Sequence, residues 1–302
     1  MAIYLKKFEN HTQYENYING SDAILPNVSI CTTEGDVHYN PLTPPTPTET
    51  RLVCKYNVED TEYETTLCYD TSNFSSIEID GIEQPSVTTG YTFSTTGEHT
   101  VKYTLTDPTN IGDYAFSDCS RLTSVTIPNG VTSIGANAFT ECSGLTSIDI
   151  PNSVTSIGDR AFYECESLTS IGIPSGVTSI GDRAFYECES LTSIGIPSGV
   201  TSIGDGAFWW CKSLTSIDIP SGVTSFGSNV FEVCSGLTSI VIPNSVTSIG
   251  NQAFAYCSSL TNINIPDSIT SIDDCAFYQC DSLNATARDA IYAINPSAFT
   301  CD

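Results

Sequence analysis

From Ile111 onward one spacing governs the chain. Cysteine returns every 23 residues, at Cys119, Cys142, Cys165, Cys188, Cys211, Cys234, Cys257 and Cys280. Aligned on it, units begin at Ile111, Ile134, Ile157, Ile180, Ile203, Phe226 and Ile249, and an eighth from Ile272 loses the pattern after Leu283. The units from Ile157 and Ile180 are identical, reading IGDRAFYECESLTSIGIPSGVTS, so each copy must form the same supersecondary element. One such element cannot bury its apolar side alone. Stacking is what allows it to fold.

Within a unit the apolar residues are Ile157, Ala161, Phe162, Cys165, Leu168, Ile171, Ile173 and Val177. Leu168 to Ile173 alternates like a short strand with every second side chain inside. Pro174 ends it, having no amide hydrogen for the ladder, and Ser175-Gly176 makes a turn. Val177 to Ile180 is a second extended piece, and Asp182 to Cys188 is expected as a helical or 3₁₀ turn with Phe185 and Cys188 inward. The predicted fold is therefore mainly β, a solenoid of three-sided 23-residue coils whose phenylalanines, Phe116 to Phe277, form one internal column. Eight coils at ~4.8 Å would make a rod about 40 Å long. The final Ile294 to Cys301 repeats the start of a unit and stops, as a half coil closing the stack would, with a helix expected over 287–294.

The pattern I-G-x-x-A-F-x-x-C-x-x-L-T-S-I-x-I-P-x-x-V-T-S resembles the BspA-type leucine-rich repeat of bacterial surface proteins, over positions 111 to 301. The resemblance implies adhesion, through binding of host or bacterial surface proteins, and brings no catalytic residues with it.

Four segments are expected: an anchoring segment over 1–40, a Pro/Thr spacer over 41–50, a small β domain over 51–110, and the solenoid with its cap over 111–302. The spacer composition favours extended polyproline II. Residues 1–40 are too short for a core and resemble leaders of structural proteins from phages and prophages of gut Bacteroides-like bacteria. That resemblance implies attachment to a larger assembly, a virion or an envelope. Between Leu52 and Leu105, alternating stretches separated by Gly81, Gly90 and Gly97 predict a small antiparallel, Ig-like unit.

Thirty-five acidic against ten basic residues give a net charge of −25, spread along the chain, which repels nucleic acid before contact forms. No apolar run approaches the ~20 residues of a membrane span. Lys6-Lys7 precede no apolar stretch, so no secretory leader is expected in this sequence. No cofactor is expected. His11, His38 and His99 all fall outside the repeats and accompany no nucleophile or phosphate-loop motif, so an enzyme is not expected either.

Several regular features invite sharper readings. One cysteine per coil gives a line, whereas zinc needs ligands converging on a point, so buried structural thiols are expected. Cys54 and Cys68 fall on neighbouring strands and could pair. Threonine columns (Thr146, Thr169, Thr192 and Thr155, Thr178, Thr201) have the regularity of an ice-binding grid, but they read first as outward strand residues of good β-propensity. Asp159, Glu164 and Glu166 recur one coil on and read as solubilising charges before calcium ligands.

Two sets remain as candidate binding residues. Aromatics just before the cysteines, Tyr163, Tyr186, Trp209, Trp210, Tyr256 and Tyr278, are of the types enriched at hot spots and able to stack on sugars, unless they only pack on neighbouring coils. Asp149 and Asp218 occupy the strand position that varies most between units. Two functions follow: an adhesion or receptor-binding module for a host-surface protein or glycan on a virion or bacterial surface, or an architectural part of a capsid, tail or envelope with nothing bound to the repeats. Homo-oligomer formation stays open.

Overall fold

Alternating burial explains the first strands. In the computed structural model, which describes residues 51–301, β1 (Leu52–Val58), β3 (Phe74–Ile79) and β6 (Gly97–Leu105) bury alternate side chains. The short pieces β2 (Thr65–Thr66), β4 (Ile82–Glu83) and β5 (Gly90–Tyr91) complete this region. They form an antiparallel sheet in the order β4-β3-β6-β1 and a separate ribbon of β2 with β5. The hairpin from β3 to β4 turns on Asp80 and Gly81, both left-handed, as tight hairpins require. The Tyr56 and Tyr103 hydroxyls lie 2.9 Å apart and both reach the Leu67 carbonyl, tying the ribbon's strand segment to the sheet. Cys54 and Cys68 are both buried free thiols. The segment over 1–40 and the spacer over 41–50 lie outside the described residues.

The sheet does not stop at this region. β1 pairs antiparallel with β8 (Leu122–Thr126), a strand of the first coil, after β7 (Asn110–Ile111) has opened that coil. β8 pairs parallel with β10 (Ser147–Asp149) of the second coil, while β9 (Ser133–Ile134) pairs with β7. Of the strands expected to form an Ig-like unit, β1, β3 and β6 therefore share one six-stranded sheet, and one hydrophobic core, with the solenoid, while β2 stays in its own ribbon.

Each later coil repeats two parallel ladders. On one side Ser170–Gly172 pairs with Ser193–Gly195, and on the next Ser179–Ile180 pairs with Ser202–Ile203. Registers differ by 23 residues throughout, so the period seen in sequence is the coil. Between the two sides a turn closes through the Val177 amide on the Pro174 carbonyl, 3.1 Å, where proline was expected to end the strand.

The third side is not the expected helical or 3₁₀ turn. The fourth and eighth residues of the units are left-handed, as at Arg183 and Glu187, both with φ 54°, and no right-handed helix survives that. The result is a chain of tight turns in which alternate amides serve different coils. Ala184 N–H and Cys188 N–H donate within the coil, to Gly181 and Phe185, whereas Arg183, Phe185 and Glu187 donate to Asp205, Ala207 and Trp209 of the next. The left-handed residues are what aim their amides along the stack. Coils approach so closely here that a Cβ on Gly181 would lie 2.9 Å from the Asp159 backbone nitrogen, so glycine is needed for space and not for turning.

Inside, Phe116, Phe139, Phe162, Phe185, Phe208, Phe231, Phe254 and Phe277 are fully buried, and neighbouring rings stack nearly parallel 5.2–5.6 Å apart. The cysteines run beside them. From Phe116 to Phe254 each Phe carbonyl accepts its own coil's Cys amide and, from the next coil, a thiol: the Cys188 Sγ–H donates to Phe162 O at 3.2 Å, as Cys211 does to Phe185 O. A serine would demand more hydrogen bonding and an alanine would leave the second lone pair empty, which accounts for a small apolar residue with a weak donor.

Both ends of the column are covered. Phe74 and Tyr103 of the N-terminal sheet pack on Phe116 at 5.2 and 5.3 Å. At the other end α1 (Ala285–Ile294), capped by the Asn284 side chain, precedes the half coil, and Phe299 meets Phe277. A disulfide joins Cys275 to Cys301 across this last step.

Candidate functional site

The sixth and ninth residues of each unit, Phe and Cys, point inward, and the eighth reaches the outer edge of the turn side; at the seventh, the rings are partly exposed while Ser117, Thr140, Glu232 and Ala255 are buried. Along the seventh position the sequence runs Ser117, Thr140, Tyr163, Tyr186, Trp209, Glu232, Ala255, Tyr278. Tyr163 and Tyr186 stack at 4.5 Å with planes 5° apart, and Trp209 meets Tyr186 edge-on at 5.1 Å. These three partly exposed rings form a continuous row. Trp210, at the eighth position, carries the Lys212 ammonium 4.4 Å from its ring centre, and Lys212 also pairs with Glu189 at 2.8 Å. Tyr256 and Tyr278 form a second edge-on pair, 5.4 Å apart. Of the two expectations for these aromatics, packing on neighbours is what the geometry shows: they meet edge and face, and they remain partly exposed.

The Trp209 Nε1 hydrogen is buried without an acceptor among the described residues, so the polar end of that indole faces inward. Burial raises the Tyr163 and Tyr186 hydroxyls above the ordinary tyrosine range, with Glu164 and Glu187 adding to the shift. Burial likewise lifts the Glu164 carboxyl. All three groups stay further toward their neutral forms than free side chains.

Asp149 and Asp218 are exposed on a different side, the strand side, three coils apart. Gly172 and Gly195 lie between them with nothing within 4 Å of where a Cβ would stand, and Val241 follows, 71% exposed. The structure therefore does not bring the aspartates together with the aromatics or with each other.

The recurrent aspartates are structural. Asp159 Oδ1 accepts the Asp182 amide and Asp182 Oδ1 the Asp205 amide, each at 2.9 Å, making a carboxylate ladder that stitches coils. Among the described residues no three His, Cys, Asp or Glu side chains gather as a metal site would need. The threonine columns are engaged too, Thr192 Oγ1 donating to Thr169 O at 3.1 Å and Thr155 Oγ1 to Thr132 O at 3.3 Å. His99 is held between Asp80 and the Thr95 carbonyl, at 2.7 and 2.9 Å, as part of the N-terminal sheet region.

Sequence reasoning missed a cleft of about 460 Å³ where the aromatic row begins. Ser117 and Thr140, both nearly buried, form part of its lining at the positions where the next three coils carry rings. Tyr163, Tyr69 and Tyr114 line it as well, the last two with ring centres 6.2 Å apart. Asp118, Glu141, Asn137 and Arg160 supply its polar groups. The Glu141 carboxyl is raised above the usual range by burial and by the adjacent Asp118. The signal in sequence was the break from Ser and Thr to Tyr along one column.

Parallel ladders of 23-residue coils around a stacked leucine, isoleucine and phenylalanine core define a leucine-rich-repeat solenoid. The model of the BspA type leucine rich repeat region matches residues 109–238 and 227–302, in six copies, and the chain belongs to that family. It is a family of surface-type repeat proteins, typically non-catalytic, whose solenoids are consistent with protein binding or adhesion. Among solved structures, a leucine-rich repeat protein from Bacteroides ovatus is 34% identical, covering 64% of this chain and 54% of its own, with a TM-score of 0.50. The T. pallidum leucine rich repeat protein is 27% identical over 62% of this chain and 76% of its own, TM-score 0.49. A leucine rich cell surface protein from Faecalibacterium prausnitzii is 33% identical over 58% and 63%, TM-score 0.36. The chain thus spans between half and three quarters of these proteins. No curated protein matches it. Among the described residues no helix is long and apolar enough to cross a membrane.

Proposed function

We infer that this protein is a non-enzymatic adhesion or receptor-binding module, displayed on a bacterial or virion surface and binding a host-surface protein or glycan through the outer edge of its solenoid. The observation that carries this reading is the row Tyr163–Tyr186–Trp209 with Trp210 beside it. Partly exposed aromatics of this kind supply much of the binding energy where proteins meet ligands. An uninterrupted internal column leaves the molecule little to offer except this surface. Membership of the BspA-type family supports surface display, and residues 1–40 are assigned the attachment to a larger assembly. The N-terminal sheet and the C-terminal half coil act as end caps of the binding rod.

The test is capture of host-surface proteins and glycans by the full chain, wild type against Trp209→Ala/Trp210→Ala. Capture that falls at least tenfold in the variant, with folding intact by circular dichroism, supports the reading. Absence of capture of either class by the wild type contradicts it.

A further inference from the structure

Along the turn edge the rings of Tyr163, Tyr186 and Trp209 follow one another coil by coil, and then the row stops. Tyr186 covers one face of Tyr163 at 4.5 Å, and on its other side the preceding coils present Thr140 and Ser117. The next aromatic groups in that direction, Tyr69 and Tyr114, also line the cleft. Two side chains at the seventh position are small, and the cleft whose floor they help to form has a volume of about 460 Å³, room for a ring-shaped ligand.

The groups around the gap decide which ring. A partner's phenylalanine or tryptophan would want apolar walls, but here the walls are planar polar side chains, Asp118, Glu141, Asn137 and Arg160. Such groups form paired hydrogen bonds with vicinal hydroxyls, while tyrosine offers an apolar face to C–H groups. That combination suits a pyranose. Arg160 beside the two acids counts against a bare cation, which would face its charge. Asp118, Glu141 and the net charge of −25 count against sulfated or sialylated glycans.

We propose that the cleft lined by Tyr69, Tyr114 and Tyr163 is a binding site for a neutral saccharide, whose ring continues the aromatic row over Thr140. This deepens the adhesion reading and rests on it in taking the turn edge as the ligand-facing surface. Glu141 and Asp118 then accept from sugar hydroxyls, and Arg160 and the Asn137 amide donate to them. Chain growth of the glycan past Tyr163 would meet Tyr186 and Trp209.

The test is saturation-transfer NMR and calorimetry on the full chain with N-acetyllactosamine, maltotriose and chitotriose, and in parallel with 3′-sialyllactose and a lysine-rich peptide. Saturable binding of at least one neutral sugar, weakened tenfold or more both by Tyr163→Ala and by Thr140→Tyr, supports the proposal. Thr140→Tyr places in the cleft the residue that the next coil already carries at this position, and a circular dichroism spectrum and unfolding midpoint like the parent's show that it folds. No saturable binding of any neutral sugar overturns it, as does binding of sialyllactose or the peptide in preference to all three. Host-surface capture that is lost in Trp209→Ala/Trp210→Ala but unchanged in Thr140→Tyr also overturns it, and leaves the adhesion reading standing.

Discussion

The sixth and the seventh residue of every coil are neighbours in the chain and opposites in behaviour. The sixth is Phe in all eight coils, stacked and fully buried, whereas the seventh runs from serine to tryptophan. Both sit on the same run of turns with the same left-handed corners. The difference shows that packing fixes residue identity only where a side chain must match its copies above and below. On the outer edge the backbone is already satisfied by ladders between coils, so the side chain is free to serve another purpose.

The largest effect should come from the inner member of that pair. Phe185→Ala opens a hole in the middle of the ring column and should cost about 3–5 kcal/mol in denaturant unfolding. Tyr186→Ala, one residue along and partly exposed, should cost far less; equal losses would break the comparison.

Alkaline titration probes the inner side as a whole. Burial raises the column's thiols well above the ordinary cysteine range, Cys280 to about 12, and Cys68 in the N-terminal region is likewise pushed up to about 12. A folded state that holds its protons above the unfolded pKa is fully stabilised below about pH 9 and loses that stability as pH rises toward 12. Unfolding free energy should therefore be flat from pH 7 to near 9 and then fall, and iodoacetamide at pH 8.5, followed by peptide mapping, should leave the ten free thiols of the described residues unlabelled until denaturant is added. Rapid labelling of any of these ten in native protein would contradict their burial.

Glycines sharpen the contrast at smaller scale. Gly181→Ala drives a methyl to 2.6 Å from Asp159 Oδ1 and should destabilise by about 1–3 kcal/mol, while Gly172→Ala, with nothing within 4 Å, should shift stability by less than about 0.5 kcal/mol. At the left-handed corners Val233, β-branched with φ 58°, should gain about 1 kcal/mol on replacement by Asn or Gly.

The repeat and its interior were legible because a 23-residue period in Phe, Cys, Leu and Ile can be met only by stacked coils. Pro174 and Gly176 marked the turn that the structure shows. The third side was misjudged because Asp182 to Cys188 carries spacing that suits a helix, and only Gly206, Asn137 and Asn229 at the fourth position hinted at left-handed backbone. The continuity of β1 with β8 was hidden, since pairing across some seventy residues leaves no mark in either strand. The Cys275–Cys301 bond was equally hidden: both cysteines lie off the 23-residue register, and nothing else in the sequence connects them. Of the site, the aromatic row was readable residue by residue, but the cleft was not, because residues as far apart as Tyr69 and Tyr163 line it together.

The central claim, that coils are interchangeable layers around one shared interior, is tested most directly by removing residues 180–202. Because the units from Ile157 and Ile180 are identical, this deletion joins Ser179 to Ile203 and leaves every local sequence as it was. The account predicts a folded chain one coil shorter, with a single cooperative unfolding transition and a β-type circular dichroism spectrum like the parent's. Loss of cooperative unfolding in that variant would contradict it.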